Sequence, residues 1–206
     1  MAIINVANLK DWLGIASTDS IDDTNLANAT AAANSAVAQY CGRDFSKTEV
    51  ANASARYYRP RSPYTCDLDD FWTTTGLVIT GDPGLDGVYE QAWPSTYYSL
   101  EPLNGIKRGL AWPFEIMRTT RTQYFVQWTQ PTIKVVAAWG WAAVPDPVFE
   151  ATLIKAARLF RRKDSPDGVI GGFSDMGPVR VSKFEDPDVV SLLDNFVRSG
   201  YRVLVA

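Results

Sequence analysis

Thr132-Ile133-Lys134-Val135-Val136-Ala137-Ala138-Trp139-Gly140-Trp141 is the stretch on which the fold turns. Ile133, Val135, Ala137, Trp139 and Trp141 fall at every second position, so they share one face of an extended strand over 132–141. Working back from it, the chain is strand-like as far as about Val50. Val, Ile, Tyr, Trp and Thr dominate there, and Gly or Pro punctuates every few residues. Further strands are predicted over 55–59, 77–80, 88–92, 97–100, 115–118 and 123–129. Gly81-Asp82-Pro83-Gly84 and Asp86-Gly87 read as turns.

Beyond Trp141 the period changes to that of a helix. Asp146-Pro147 reads as an N-cap followed by proline at the first helical position. Phe149, Leu153, Ala156, Ala157 and Phe160 then form one apolar stripe, which Ser165-Pro166 ends. Asp186-Pro187 repeats the start signal for a last helix with Val189, Leu192, Leu193 and Phe196 on one side and Gly200 at its end. Residues 168–185, with Gly168, Gly171, Gly172 and Gly177, are too long and glycine-rich for a tight connection and are expected to order on assembly.

The start of the chain is also helical. Leu9, Trp12 and Leu13 share a face that Gly14 closes. A longer helix follows from Ser20, with Asp23 in a capping-box-like position and Leu26, Ala29, Ala33, Val37 and Tyr40 at helical spacing before Gly42. Neither helical end carries an apolar face wide enough for a core of its own. The expected fold is therefore α+β, with residues 1–50 and 142–206 forming one helical bundle and 51–141 inserted as a strand-rich region.

Composition narrows the function. Among 206 residues, 46% are hydrophobic and 21% charged, as in ordinary globular proteins. Aromatic residues make up 12%, a surplus that suits interfaces as well as cores. A net charge of −3 argues against a protein that grips nucleic acid through its phosphates. It is compatible with a wall past which DNA slides without sequence recognition. With no histidine in the chain, the commonest general base and zinc ligand are missing. Cys41 and Cys66 are too few and too far apart for a disulfide framework and are expected to be buried free thiols. Residues 1–6 show no basic region leading into an apolar run, so no signal peptide is expected and synthesis is expected in the cytoplasm. No stretch approaches the roughly 18 apolar residues of a membrane span.

Several clusters carry residue types that could do chemistry. Asp67, Asp69 and Asp70 are spaced like calcium ligands but too few for a calcium loop, and a solvated acidic turn is the expectation. The run from Gly168 to Gly172 lacks the Gly-Lys-Ser/Thr of a phosphate cradle. Trp72, Trp93, Trp112, Trp128, Trp139 and Trp141 could stack on sugars, which gives a carbohydrate- or receptor-binding module as the alternative function. Arg158, Arg161, Arg162 and Lys163 sit where cations complement a helix dipole, yet four in six residues exceed that need. Together with Gly168, Gly171 and Gly172 they form the candidate assembly surface. No catalytic residue, metal site or cofactor is expected.

The order of motifs resembles the head-to-tail adaptor family of tailed phages, also called head-completion or connector proteins. The passages that carry the likeness begin with Leu9-Lys10-Asp11-Trp12-Leu13-Gly14, Ile21-Asp22-Asp23 and Tyr40-Cys41-Gly42-Arg43. Asp69-Asp70-Phe71 and Tyr98-Ser99-Leu100-Glu101-Pro102-Leu103-Asn104 follow in the middle. Most specific is the run from Val135 to Trp141 with Val144-Pro145, continued by Ala156 to Arg162, Ser165-Pro166, Gly168-Val169, Gly171, Asp186-Pro187 and Leu192-Leu193. The resemblance spans nearly the whole chain. It implies a non-enzymatic virion protein of the neck, in a dodecameric ring of its own copies below the portal protein. Such a ring meets a neck or tail protein on its other side and encloses a channel for DNA.

Overall fold

The computed structural model describes residues 2–120, 122–162, 169–170, 179–180 and 187–198. The chain divides into two compact units. One combines Met1–Arg43 with Val144–Ala206, and the other is the continuous stretch Asp44–Ala143.

The continuous unit is built on a six-stranded antiparallel sheet. Its strands are β1 (Ser54–Tyr58), β2 (Thr65–Gly81), β3 (Gln91–Ala92), β4 (Tyr98–Glu101), β7 (Phe114–Thr119) and β8 (Ile133–Trp139), in the order β1-β8-β2-β7-β4 with β3 paired to the end of β2. A separate two-stranded hairpin, β5 (Ile106–Lys107) with β6 (Leu110–Ala111), stands between β4 and β7. The alternation on β8 decides which face is inside. Ile133, Val135, Ala137 and Trp139 are buried in one core with Cys66, Leu68, Phe71, Ile79, Trp93, Met117 and Phe125.

This architecture corrects the expected α+β fold of a helical bundle with a strand-rich insertion. The protein is mostly an antiparallel sheet with short helices. The sheet has its own core, and β2 alone runs for 17 residues. The sequence predicts only 77–80 of it, because Asp67, Asp69 and Asp70 read as an acidic turn. The strand absorbs them, with register shifts between Asp67 and Phe71 against β7 and between Phe71 and Val78 against β8. Conversely, 123–129 is not a strand: only Phe125 there is buried, and Tyr124 and Trp128 point to solvent.

Helices α1 (Val6–Leu13), α2 (Asp23–Cys41), α3 (Asp146–Arg161) and α4 (Pro187–Leu193) belong to the other unit. Leu9, Leu26, Ala29, Ala33, Leu153, Ala156 and Ala157 share its core. Alanines on both α2 and α3 keep those faces shallow, so the two backbones can approach closely. Asn5 caps α1 in a reciprocal pair with Asn8. Three readings of the helices differ from expectation. Asp146 lies inside the first turn of α3, with Pro145 before it and no side-chain cap bond. Trp12 is exposed and lies off the buried face. Asp22, not Ser20, precedes the first turn of α2 and makes no side-chain cap bond. Arg43 donates from Nε to the Phe196 carbonyl at 2.7 Å, and the Arg198 N–H donates to the Cys41 carbonyl at 2.9 Å, which ties the end of α2 to the segment after α4.

Both cysteines are buried and free. Burial, then the nearby Asp67 charge, pushes the Cys66 thiol up to about 12 from 9.0. A reagent for thiolates should therefore leave the native chain unlabelled at pH 8 and modify both cysteines after denaturation. The same shift sets an alkaline limit. Between pH 9 and about 12 the unfolded thiol releases its proton while the folded one keeps it, so stability falls across that window. Tyr58 adds to the loss above pH 10, its phenol being raised by burial and by the charge of Asp69. A urea midpoint that stays level from pH 8 to 11 would contradict this.

Candidate assembly surface

Helix α3 buries Val148, Ala151, Thr152, Leu153, Ala156 and Ala157, with Phe149 and Phe160 packed at the margin. That phase leaves Arg158, Arg161 and Arg162 exposed at its C-terminal end, where the Arg162 N–H donates to the carbonyls of Arg158 and Phe160. The structure thus groups three of the four predicted cations. Lys163, Gly168, Gly171 and Gly172 lie outside the described residues. Of the glycine-rich stretch, Val169–Ile170 and Val179–Arg180 form an antiparallel two-stranded pair.

The carboxylates of β2 are not the solvated turn that was expected. Asp70 is 5% exposed, and its Oδ2 accepts a 2.9 Å bond from Trp141 Nε1. Its carbonyl also accepts from the Gly140 N–H at 2.6 Å. Asp69 accepts from Arg56 Nη1 at 2.7 Å and from the Tyr58 hydroxyl at 3.0 Å. Asp67 pairs with Arg61 at 3.4 Å. These carboxylates answer donors of their own unit. No group of three or more metal-ligating side chains occurs among the described residues.

The tryptophans also make poor sugar platforms. Trp93, Trp112, Trp139 and Trp141 are buried. Trp141 sits against Phe45 with ring centroids 5.3 Å apart and against Trp112 at 4.9 Å. Trp72 donates to the Thr48 carbonyl and lies under Lys47, 4.6 Å from the ring centroid. Exposed indoles remain only at Trp12 and Trp128 among the described residues, one in each unit.

The sequence reading missed two exposed apolar groups in the sheet unit. Alternation leaves one sheet face uncovered, where register aligns Ala55, Val136 and Val78 in one row and Tyr57, Lys134, Thr80 and Ala92 in the next. Tyr57 packs against Tyr89, ring centroids 5.2 Å apart. The second group is on and beside the β5–β6 hairpin: Leu103, Ile106 and Leu110. No periodicity announces it, because each strand has only two residues.

No protein-family model and no curated protein sequence matches the chain. Its fold, however, recurs in a solved structure. A chain from the neck of an empty GTA particle, computed with C6 symmetry, superposes with a TM-score of 0.56 at 14% identity, over 99% of this chain and 93% of that one. At that identity what is shared is the fold, and it is shared along essentially the full length.

Proposed function

We propose that this chain is a structural head-to-tail adaptor of a tailed phage, a non-enzymatic neck protein that forms a ring below the portal, joins capsid to tail and lines the DNA channel. The observation that carries the reading is the near full-length likeness to a neck chain of the GTA particle. The motif order from Leu9 to Leu193 points the same way independently of the fold. The partners are the portal protein, a tail-side neck or tail protein, and other copies of the chain. A ring of twelve is compatible with the sixfold symmetry of the GTA neck. The weakly acidic balance suits a channel wall that does not hold DNA.

In this reading the exposed end of α3 meets the portal, with Arg158, Arg161, Arg162 and Lys163 as its cations and Gly168, Gly171 and Gly172 following in the sequence. Arginine can bond carboxylates in bidentate fashion, which suits an interface between acidic proteins. Replacing Arg161 and Arg162 together by Glu should leave the chain folded, since exposed charges contribute little to stability. Attachment to portal rings should weaken, most at low salt, where repulsion is least screened. Sedimentation with portal rings reads this directly. Wild-type attachment by the double variant in low salt would show that the cluster only solvates a helix end, and failure of the wild-type chain to bind portal would remove the adaptor reading itself.

A further inference from the structure

The geometry points to Asn104 as a covalent modification site that the fold keeps closed. Its side-chain amide can cyclise onto the backbone nitrogen of Gly105 with loss of ammonia, and the turn around it must open first. This goes beyond the adaptor reading and does not depend on it.

The chain has one Asn-Gly pair, Asn104-Gly105. Cyclisation meets least resistance before glycine, because the attacking nitrogen has no side chain beside it and the backbone turns freely. The Gly105 nitrogen bonds to Asn104 Cγ, the Cγ–Nδ2 bond breaks, and ammonia leaves carrying the proton that the Gly105 nitrogen gives up. The cyclic imide then takes up water at one of its two carbonyls. The product is aspartate, or the isomer in which the backbone runs through the former side chain.

The turn places this pair in water and yet holds it unreactive. Asn104 is exposed between β4 and β5, with φ 61° and ψ 13°. That is the left-handed conformation, which asparagine tolerates better than most side chains. Ring closure needs the Gly105 nitrogen to eclipse Asn104 Cβ about the Cα–C bond. A ψ of 13° nearly eclipses it with the nitrogen of Asn104 instead.

The proton of that nitrogen is also engaged. The Gly105 N–H donates to the Pro102 carbonyl at 3.0 Å, and the Gly105 carbonyl accepts from the Trp112 N–H at 2.8 Å. Turning the Asn104–Gly105 peptide into the reactive arrangement breaks both bonds. Trp112 is 4% exposed, with Lys107 Nζ 4.7 Å from its ring centroid, and Lys107 pairs with Glu115 at 2.6 Å. The reactive arrangement is therefore reached through local opening of residues 102–112. The Asp-Gly pair among the described residues, Asp86-Gly87, is guarded in the same way, its Gly87 N–H donating to the buried Asp82 carboxylate at 2.8 Å. Reaction at Asn104 adds a negative charge, and the isomer adds a methylene to the backbone of the turn. Each opening that reacts is thus recorded in the chain.

The test follows the full chain at pH 8, in buffer and in denaturing urea, by peptide mass spectrometry. In urea Asn104 should be the first asparagine to react. Asn104→Gly, which suits the left-handed turn, should remove that event. In buffer the wild-type reaction should be at least about 10-fold slower than in urea, because it passes through the open turn. Lys107→Met frees Glu115 and uncovers Trp112. With folding confirmed by circular dichroism, its ratio of native to urea rate should rise by about 3-fold or more. Another asparagine reacting first in urea would remove the site. Equal wild-type rates in buffer and urea would overturn the guarding turn, a comparison that needs no variant. An unchanged ratio in Lys107→Met would overturn the opening assigned to residues 102–112.

Discussion

Gly140→Ala should unfold the sheet unit. Gly140 has φ +91°, a region that L side chains rarely adopt. A Cβ built there would lie 1.5 Å from the Ser46 carbonyl oxygen and 2.7 Å from its carbon. Backbone atoms cannot rotate aside as a flexible side chain would. The same peptides carry the local hydrogen bonds: Gly140 N–H to the Asp70 carbonyl, and Trp141 N–H to the Ser46 carbonyl at 3.0 Å. The strained dihedral alone costs about 1–3 kcal/mol. Moving the 46–47 segment away would break those bonds as well, so the total should exceed about 4 kcal/mol. Insoluble expression, or loss of the cooperative transition in urea, is the expected outcome. A soluble variant melting within a few degrees of wild type would show that the crossing of the two chain segments is looser than described.

Trp139→Ala should cost roughly 3–5 kcal/mol, the usual penalty for emptying a large buried aromatic site. Trp139 is 2% exposed. Its ring meets Phe71 edge-on with centroids 6.1 Å apart and Tyr58 at 6.0 Å, and Arg56 lies over it at 4.4 Å. Its Nε1 donates to the Ser54 carbonyl at 2.9 Å, which fastens β8 to the start of β1. Trp139→Phe separates the two contributions. It keeps much of the apolar area and loses the bond, so its cost should be nearer 1–3 kcal/mol. Equilibrium denaturation in urea measures both, and an alanine variant within about 1 kcal/mol of wild type would refute the packing assigned to this side chain.

Where the period was long and clean, the sequence was legible. The alternation over 133–139 set the inward face of β8, and the stripe of Leu26, Ala29, Ala33 and Val37 set the inward face of α2. Gly14 and Gly42 end their helices in the left-handed conformation that their positions suggested. Legibility failed where partners distant in sequence decide the outcome. Nothing local in Asp67-Leu68-Asp69-Asp70 says that Arg56, Tyr58 and Trp141 will bond to these acids, so a mid-strand segment looked like a turn. The result was a sheet underestimated and a bundle overestimated. The need for a glycine at 140 is absent from the strand pattern, because it becomes visible only once Ser46 is beside it. Of the candidate surface, the basic end of α3 could be read from the helix phase. The exposed hairpin could not, since strands of two residues carry no period.

The split composition of the helical unit has a consequence for synthesis on the ribosome. Its first segment ends at Arg43 and its second begins only at Val144. When α2 emerges, the alanine face that will meet Ala156 and Ala157 has nothing to cover it. The hundred-residue sheet unit must be translated first, which at 5–20 residues per second takes about 5–20 s. During that interval α1 and α2 are a nascent, half-exposed pair, while the sheet unit can close on itself as soon as Trp141 reaches Ser46. Vectorial folding is therefore inverted: the middle of the chain matures before its beginning, and a nascent chain that has emerged from the ribosome as far as Trp141 and no further would carry a finished sheet and an α2 whose partner helix is still to come.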